Sequence, residues 1–224
     1  TMIFFAVNLL IKLPLTFICS YFLYKKIKGY KYYRFVFFLP SIISAVVLTS
    51  LLKYMVNPGG PLPRIYEMLW GREAPLFLAD SDYALGVILF YTIWSGFGVN
   101  IILFQGAMSR IPPEIIEAGK IDGVGMTREL FQIVTPLVWP TISTVVVLAF
   151  VGIFSSSGEI LLFTKGLYDT YTISYWIFEL VQGIKGTVNL EYASTVGIFF
   201  SVIALPIVLL VKRGLEKITE SVEY

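Results

Sequence analysis

Residues 114–140, EIIEAGKIDGVGMTRELFQIVTPLVWP, form a charged, glycine-punctuated stretch inside an otherwise apolar chain. Pro113 stands directly before it, and proline favours the first turn of a helix. Gly123 and Gly125 come shortly afterwards, and glycine readily adopts the left-handed backbone at which many helices end. The spacing therefore predicts a short helix over 114–121.

The second half of this stretch predicts another helix. Thr127 is expected to cap its first turn, because a threonine hydroxyl can accept a hydrogen bond from a free backbone N–H there. Pro136 and Pro140 are expected to end the helix and to set the angle into the next apolar run. The apolar residues on or near one side of it are Met126, Leu130, Phe131, Val134 and Leu137. The whole segment, which we call the elbow, thus predicts a helix–turn–helix.

The composition excludes an ordinary water-soluble domain. Hydrophobic residues make up 57% of the 224 residues and charged residues only 14%, against about 25% charged residues in a typical soluble domain. The chain has no histidine and a single cysteine, Cys19, which excludes a His/Cys metal site, a histidine-assisted nucleophile and an internal disulfide. An all-α polytopic membrane protein is predicted, with one transmembrane domain over 1–224.

Five apolar runs are long enough to cross a bilayer, which requires about 20 residues in a helix. The predicted spans are 2–24, 35–56, 83–105, 141–163 and 193–211. The elbow lies in loop 106–140, which joins the third span to the fourth, so it is expected to meet water on one side of the membrane.

Lysine and arginine are unevenly shared between the two sides of the predicted bundle. Loops 25–34 and 106–140, with the tail from Lys212, carry eleven of them, whereas loops 57–82 and 164–192 carry four. Because positively charged loops stay in the cytoplasm, the elbow and the C-terminus are expected there.

This orientation, with five spans, puts the start of the chain outside the cell. The opening letters TMIFFAV carry no cationic region and no small-residue cleavage site, so they are not typical of a signal peptide. We therefore expect one or more N-terminal helices to be missing from this sequence. The alternative is that residues 2–24 form a re-entrant or interfacial segment.

Within the elbow, Glu117 lies beside the small residues Ala118, Gly119 and Gly123. Small residues allow close approach of a partner, and a carboxylate can pair in a bidentate manner with an arginine. This arrangement favours a contact surface for another protein. An ordinary solvated loop is the alternative interpretation.

The spacing of the elbow resembles the signature loop of the permeases of binding-protein-dependent ABC importers. That loop reads EAA, three residues, G, nine residues, I, one residue, LP; this chain reads EAG at 117–119, Gly123, Ile133 and TP at 135–136. Gly119 and Thr135 are the two departures. Three further stretches are similar to the carbohydrate-type branch of maltose-like and glycerol-phosphate-like importers: RFVFFLPSIISAVV at 34–47, IWSGFGVNIILFQGAMSRIP at 93–112 and EYAST at 191–195.

The resemblance implies a type I ABC importer-like helix bundle in which the first elbow helix is a coupling helix that docks on a separate ATPase. The implied docking residues are Glu117, Ala118, Gly119, Asp122 and Gly123, with Ile133 and Pro136 bracing the elbow. ATP and Mg are expected on that partner and no cofactor on this chain, since no G-x-x-x-x-G-K-[ST] motif occurs in it.

The resemblance also implies partners and a location. A second permease subunit, two ATP-binding subunits and an extracytoplasmic solute-binding protein are expected, with the permeases forming a heterodimer. The chain is expected to lie in the plasma membrane of a bacterium or archaeon, in contact with the lipid bilayer and not with nucleic acid. Transport rather than catalysis is the expected activity.

A helix with one apolar side is predicted in loop 164–192. Its apolar residues recur at helical spacing: Ile173, Trp176, Ile177, Leu180, Val181 and Ile184. Ser174, Glu179 and Gln182 fall away from this stripe. The helix is expected at the outer membrane interface, either as a docking shelf for the binding protein or as a simple interfacial cap.

Polar and aromatic residues inside the spans are candidates for the solute path. Trp94, Phe97, Asn100 and Glu159 combine aromatic faces with groups that can pair with sugar hydroxyls. A carboxylate in hydrocarbon costs about 2.5–3.5 kcal/mol on insertion scales, so Glu159 is expected to face a cavity or a partner, for which Lys12 is one option. The alternative is that these groups serve helix packing.

Three other functions are alternatives to this interpretation. One is an ABC permease for another polar solute, such as glycerol phosphate or an amino acid. A secondary carrier is less favoured, because it would show coupled charges near the midplane and has no use for a docking elbow. A membrane enzyme is disfavoured, since no carboxylate pair, histidine cluster or cysteine group gathers on one side of the chain.

Overall fold

The computed structural model describes residues 1–154, 158–183, 186 and 188–220, and this part of the chain contains helices but no strands. The helices are α1 (Met2–Tyr24), α2 (Tyr30–Ile42), α3 (Ala45–Val56), α4 (Pro61–Trp70), α5 (Ser81–Met108), α6 (Pro113–Ile121), α7 (Met126–Leu137), α8 (Trp139–Val151), α9 (Gly158–Phe163), α10 (Ile173–Gln182) and α11 (Leu190–Glu220). The predicted all-α class is confirmed.

α1 matches the first predicted span, but it is not α-helical throughout. Asn8–Lys12 is a π-helical turn, after which the Leu13 N–H donates to the Asn8 carbonyl five residues earlier. Pro14 follows in the next α-helical turn, and it has no N–H with which to continue the usual pattern. The π turn accommodates this missing donor and shifts the register of the side chains on either side of it.

The second predicted span, 35–56, is wrong as a single helix. Ile43 and Ser44 have extended backbone angles, and the helical parts on either side, Tyr30–Ile42 and Ala45–Trp70, meet at 104°. α2 packs along α5, whereas α3 turns away and packs on α9. Both sides of the break are apolar, so the hydropathy pattern does not predict it.

α5 contains the third predicted span and lies at the centre of the bundle, in contact with α1, α2 and α8. Gly96 interrupts it midway. Gly98 lies so close to α2 that an added Cβ would stand 2.8 Å from Phe38 Cα. Only a residue without a side chain permits this approach, so Gly98 holds α2 and α5 together at short range.

The fourth predicted span, 141–163, is also wrong as a single helix. α8 ends at Val151, a 3₁₀ turn occupies Gly152–Phe154, and α9 covers Gly158–Phe163. On the other side, α7 and α8 meet at 75° around Val138. The bent helix pair that can cross a membrane here therefore begins within the elbow, at Met126, and ends at Val151.

α11 contains the fifth predicted span and extends it to 31 residues. By length and composition, α1, α5 and α11 can each cross a membrane. Among the described residues the number reaches five if each bent pair, α2 with the chain through α4 and α7 with α8, counts as one crossing. Phe199, Val202 and Leu210 on α11 are exposed, which suits a surface facing lipid or an apolar partner.

Candidate functional site

The predicted elbow is present as α6, a tight turn and α7. α6 ends before Gly123, whose φ of 73° lies in the left-handed region that glycine tolerates. The extended backbone of Gly125 sets the start of α7 at Met126. Thr127 lies inside α7 and makes no capping bond, so the capping role predicted for it is wrong.

α6 turns one side to solvent and the other to the bundle. Six residues at its end are exposed: Lys120 and the five that we call the elbow face, which are Glu117, Ala118, Ile121, Asp122 and Gly123. Ile121 is 86% exposed, which makes a large apolar side chain available to a partner. Within the described residues Glu117 makes no hydrogen bond or ion pair, so its carboxylate is also available.

Gly119 does not belong to the elbow face, although it was predicted with the docking residues. It is buried, and a Cβ added to it would lie 2.8 Å from Ile133 Cδ1. The two predicted positions therefore meet inside the elbow, where α6 crosses α7. The end of the Ile133 side chain thus occupies the space that the alanine Cβ of the family pattern would take.

Gly119→Leu is expected to push α6 away from α7 and to lower the melting temperature of the purified permease, because overpacking costs about 1–3 kcal/mol. Gly119→Ala should change stability little, since only the flexible end of Ile133 must move and alanine gains up to about 1 kcal/mol of helix propensity. Ala118→Leu, on the exposed neighbour, is the matched control. Equal melting temperatures for Gly119→Leu and Ala118→Leu in detergent would contradict the packing.

Thr135, the other departure from the family pattern, has a bond of its own. Its hydroxyl donates to the Leu130 carbonyl, five residues earlier, at 2.7 Å, within a π-helical turn over Glu129–Val134. Leucine could not make this bond. The turn leads into Pro136, which lies inside α7, and the chain bends only at Val138. The prediction that Pro136 ends the helix is therefore wrong.

A buried ion pair that the sequence did not reveal joins α7 to the end of α1. Lys25 Nζ lies 2.7 Å and 2.8 Å from the two carboxylate oxygens of Glu129, whose side chain is 6% exposed. The Tyr21 hydroxyl also donates to the Met126 carbonyl at 3.2 Å. The paired residues are 104 positions apart, and no local pattern relates them.

An apolar core continues this connection into the bundle. Its buried members come from α1, α5, α6, α7 and α8 and include Phe17, Tyr21, Phe104, Met108, Ile116, Leu130, Val134 and Ile142. The Trp139 indole N–H donates to the Leu215 carbonyl at 3.2 Å and so holds α8 to α11. Because close-packed interiors transmit displacement, a push on the elbow face reaches the spans instead of being absorbed by a loop.

The four residues predicted for the solute path do not surround one cavity. Asn100 borders a cavity of about 260 Å³ together with Lys12, whereas Glu159 borders a separate one of about 430 Å³. Phe97 is buried in an apolar cluster, and Trp94 packs at the edge of another. No ion pair within 4 Å joins Lys12 to Glu159 in the described chain.

α10 matches the amphipathic helix predicted after residue 172, but its buried side differs from the predicted stripe. Tyr175 and Glu179 are buried, and the Tyr171 hydroxyl donates to the Glu179 carboxylate. Val181, predicted for the apolar side, is 40% exposed, and Ile184 lies outside the described residues. Hydrogen bonding lets a carboxylate occupy a buried position, which apolar periodicity cannot anticipate.

Sequence comparison relates the chain to known permeases. It is 28% identical over 189 residues to the multiple sugar-binding transport system permease protein MsmF of Streptococcus mutans, covering 84% of this chain and 64% of that protein. The sn-glycerol-3-phosphate transport system permease protein UgpA of Shigella dysenteriae is 26% identical over 176 residues, covering 74% of this chain and 59% of that protein. The chain thus spans less than two thirds of the length of either relative.

Structural comparison identifies the same architecture. A crystal structure of a bacterial ABC transporter involved in the import of the acidic polysaccharide alginate superposes with a TM-score of 0.87 at 24% identity, covering 97% of this chain and 77% of that one. The complex of the alginate transporter with its alginate pentasaccharide-bound periplasmic protein gives 0.86 at 26% identity, over 97% and 76% of the two chains. The family described as "binding-protein-dependent transport system inner membrane component" matches residues 12–218, and the chain therefore belongs to that family.

Proposed function

We propose that this chain is a membrane-spanning permease subunit of an ATP-driven ABC importer. In this proposal it forms half of the translocation path for a sugar or oligosaccharide delivered by an extracytoplasmic binding protein. The observation that carries the proposal is the elbow face, an exposed carboxylate beside small residues and Ile121, mounted on a helix that is packed into the bundle. A transport subunit needs such an exposed docking surface because the ATP hydrolysis that drives it takes place on another protein.

The names of the relatives support a carbohydrate-like solute. MsmF is named for multiple sugars, a Bacillus subtilis relative that is 25% identical over 231 residues is named for polygalacturonan and rhamnogalacturonan, and the structural neighbours import alginate. Glycerol phosphate is the second candidate solute, because several relatives are named as sn-glycerol-3-phosphate permeases.

The proposed partners supply the ATP hydrolysis and the second half of the translocation path. Two ATP-binding subunits supply ATP hydrolysis with bound Mg, and one of them docks on the elbow face. A second, related permease completes the path as a heterodimer, and the elbow and C-terminus lie in the cytoplasm. Closure of the ATPases pushes the elbows together and turns the helix bundles between inward-facing and outward-facing states, a rigid-body change between two packings.

Within this chain, the force enters at α6 and leaves through α7. The buried Lys25–Glu129 pair and the apolar core make α7 part of the same body as α1 and α5. The bent connection between α7 and α8 lets the elbow lie across the membrane surface while α8 continues into the bundle.

The proposal is tested in proteoliposomes that contain the full-length permease and the partner subunits encoded beside its gene, together with the binding protein. Uptake of a labelled oligosaccharide is expected only with ATP inside the vesicles and the binding protein outside them. Vesicles whose ATPase subunits lack the catalytic carboxylate are the control and should remain empty. Uptake that continues without the ATPases, driven by an ion gradient, would instead identify a secondary carrier.

A further inference from the structure

Lys12 places a cationic side chain near the middle of the long apolar helix α1. In a helix of 23 residues rising about 1.5 Å per residue, roughly 15–18 Å of helix lies on either side of it. An ionisable group at this depth faces a protein cavity or water rather than lipid, and it marks a functional site by default. Lys12 is also the last residue of the π turn, a feature that is frequent at functional sites.

The cavity beside Lys12 contains two amide side chains. Asn8 from α1 and Asn100 from α5 line it, and its walls include the apolar residues Val145 and Leu148 of α8. The Asn8 side-chain nitrogen donates to the Phe4 carbonyl at 3.1 Å, which fixes its orientation. A few polar groups placed in an otherwise apolar cavity are typical of small-molecule sites.

The charge of Lys12 has no close acidic partner in the described ranges 1–154, 158–183, 186 and 188–220. No Asp or Glu there lies within 4 Å of its ammonium group. Glu159, which borders the other cavity, attracts the ammonium only from beyond that distance. The ammonium lies against Gly96, where any side chain would collide with it. Glycine at the interruption of α5 therefore leaves room for the lysine.

We propose that this cavity binds the anionic group of the transported solute. The group is a carboxylate or a phosphate on a hydroxylated, sugar-like molecule, with Lys12 as its charge partner and Asn8 and Asn100 as hydrogen-bonding neighbours. A cation between apolar walls attracts an anion more strongly than it would in bulk water, because the walls lower the local dielectric constant. The inference rests on the proposed transport function and specifies the solute class for it.

The charge of the cavity is measured first, without any solute. In the assembled full-length transporter, Ala149→Cys places a reporter on the cavity wall in a Cys19→Ser background, Cys19 being the only cysteine of this sequence. An anionic methanethiosulfonate should label it about tenfold faster than a cationic one of similar size, because a charged cleft concentrates counter-ions. Lys12→Met should abolish this preference and Lys12→Arg should keep it.

Ala45→Cys, in the cavity that Glu159 borders, is the matched control and should show no preference for the anionic reagent. A rate ratio near one at Ala149→Cys, or a ratio unchanged by Lys12→Met, overturns the inference.

Protection from labelling then identifies the anion. Trigalacturonate and sn-glycerol 3-phosphate are the carboxylate and phosphate probes, and maltotriose is the neutral one. At least one anionic probe should slow labelling at Ala149→Cys, maltotriose should not, and Lys12→Met should remove the protection. If maltotriose protects as well as the anionic probes do, the inference is overturned. It is also overturned if neither anionic probe protects. Binding-protein-dependent ATP hydrolysis in the same preparation reports on the proposed transport function separately.

Discussion

Replacing Glu117 by lysine is expected to leave the permease folded and inserted but to abolish ATPase association and uptake. Glu117 is exposed and has no hydrogen bond or ion pair within the described chain, so the fold does not depend on it. Against a basic residue on the ATPase, charge reversal replaces an attraction by a repulsion. Losing such a pair costs about 2 kcal/mol or more, and therefore at least about thirtyfold in affinity.

The measurement is co-purification of the ATPase with the permease, followed by uptake in proteoliposomes. Glu73→Lys makes the same change of net charge on an exposed residue of another loop and should leave ATPase association unchanged. Melting temperatures of both variants should match that of the unmodified chain. Normal association and uptake with Glu117→Lys would show that the elbow is not the coupling site.

A second substitution on the elbow face separates shape from charge. Gly123 has a left-handed backbone, and a Cβ added to it would meet no other part of the described chain within 4 Å. Gly123→Trp should block a partner that approaches closely, whereas Gly123→Asn, which tolerates this backbone, should retain much of the association. Gly123→Ala is the strain control, because alanine is disfavoured on this backbone but adds almost no bulk. A loss with Gly123→Ala equal to that with Gly123→Trp would point to backbone strain instead of steric exclusion.

Lys25→Met is expected to be the most destabilising single change around the elbow. It leaves the Glu129 carboxylate buried without its charge partner, and breaking a buried pair in this way costs about 3–5 kcal/mol. Glu129→Gln should cost less, because Lys25 is 18% exposed at the end of α1 and can turn towards water. The double variant Lys25→Met/Glu129→Gln should recover much of the loss, since it contains no unpaired buried charge.

Thermal unfolding in detergent, together with uptake, measures this cycle. Lys212→Met is the matched control, because it removes a lysine from an exposed pair with Glu216, at 3.7 Å and with 55% of each side chain accessible. Exposed pairs of this kind contribute at most about 0.5 kcal/mol. A double variant as unstable as Lys25→Met alone, or a Lys212→Met variant equally unstable, would contradict the role assigned to the buried pair.

The two errors in the predicted spans have a common physical cause. Hydropathy measures the free energy of transferring a segment to an apolar medium, and it has the same value whether a helix is straight or bent. The break at Ile43 and Ser44 occurs inside one apolar run, and the 3₁₀ turn at Gly152–Phe154 occurs inside another. The direction of a helix after a break depends on the backbone angles at the break, and packing against α5, α9 and α11 selects these angles.

The sequence by itself determined the helical class, the apolar runs and the position of the elbow. These depend on local properties: the transfer of apolar side chains from water, the missing N–H of proline and the left-handed backbone of glycine at Gly123. The tertiary structure alone decided three features that join distant parts of the chain. They are the burial of Gly119 against Ile133, the Lys25–Glu129 pair, and the cavity that Lys12 shares with Asn100. Contacts of this kind depend on which helices meet and at what angle, and a single sequence carries no local signal of that geometry.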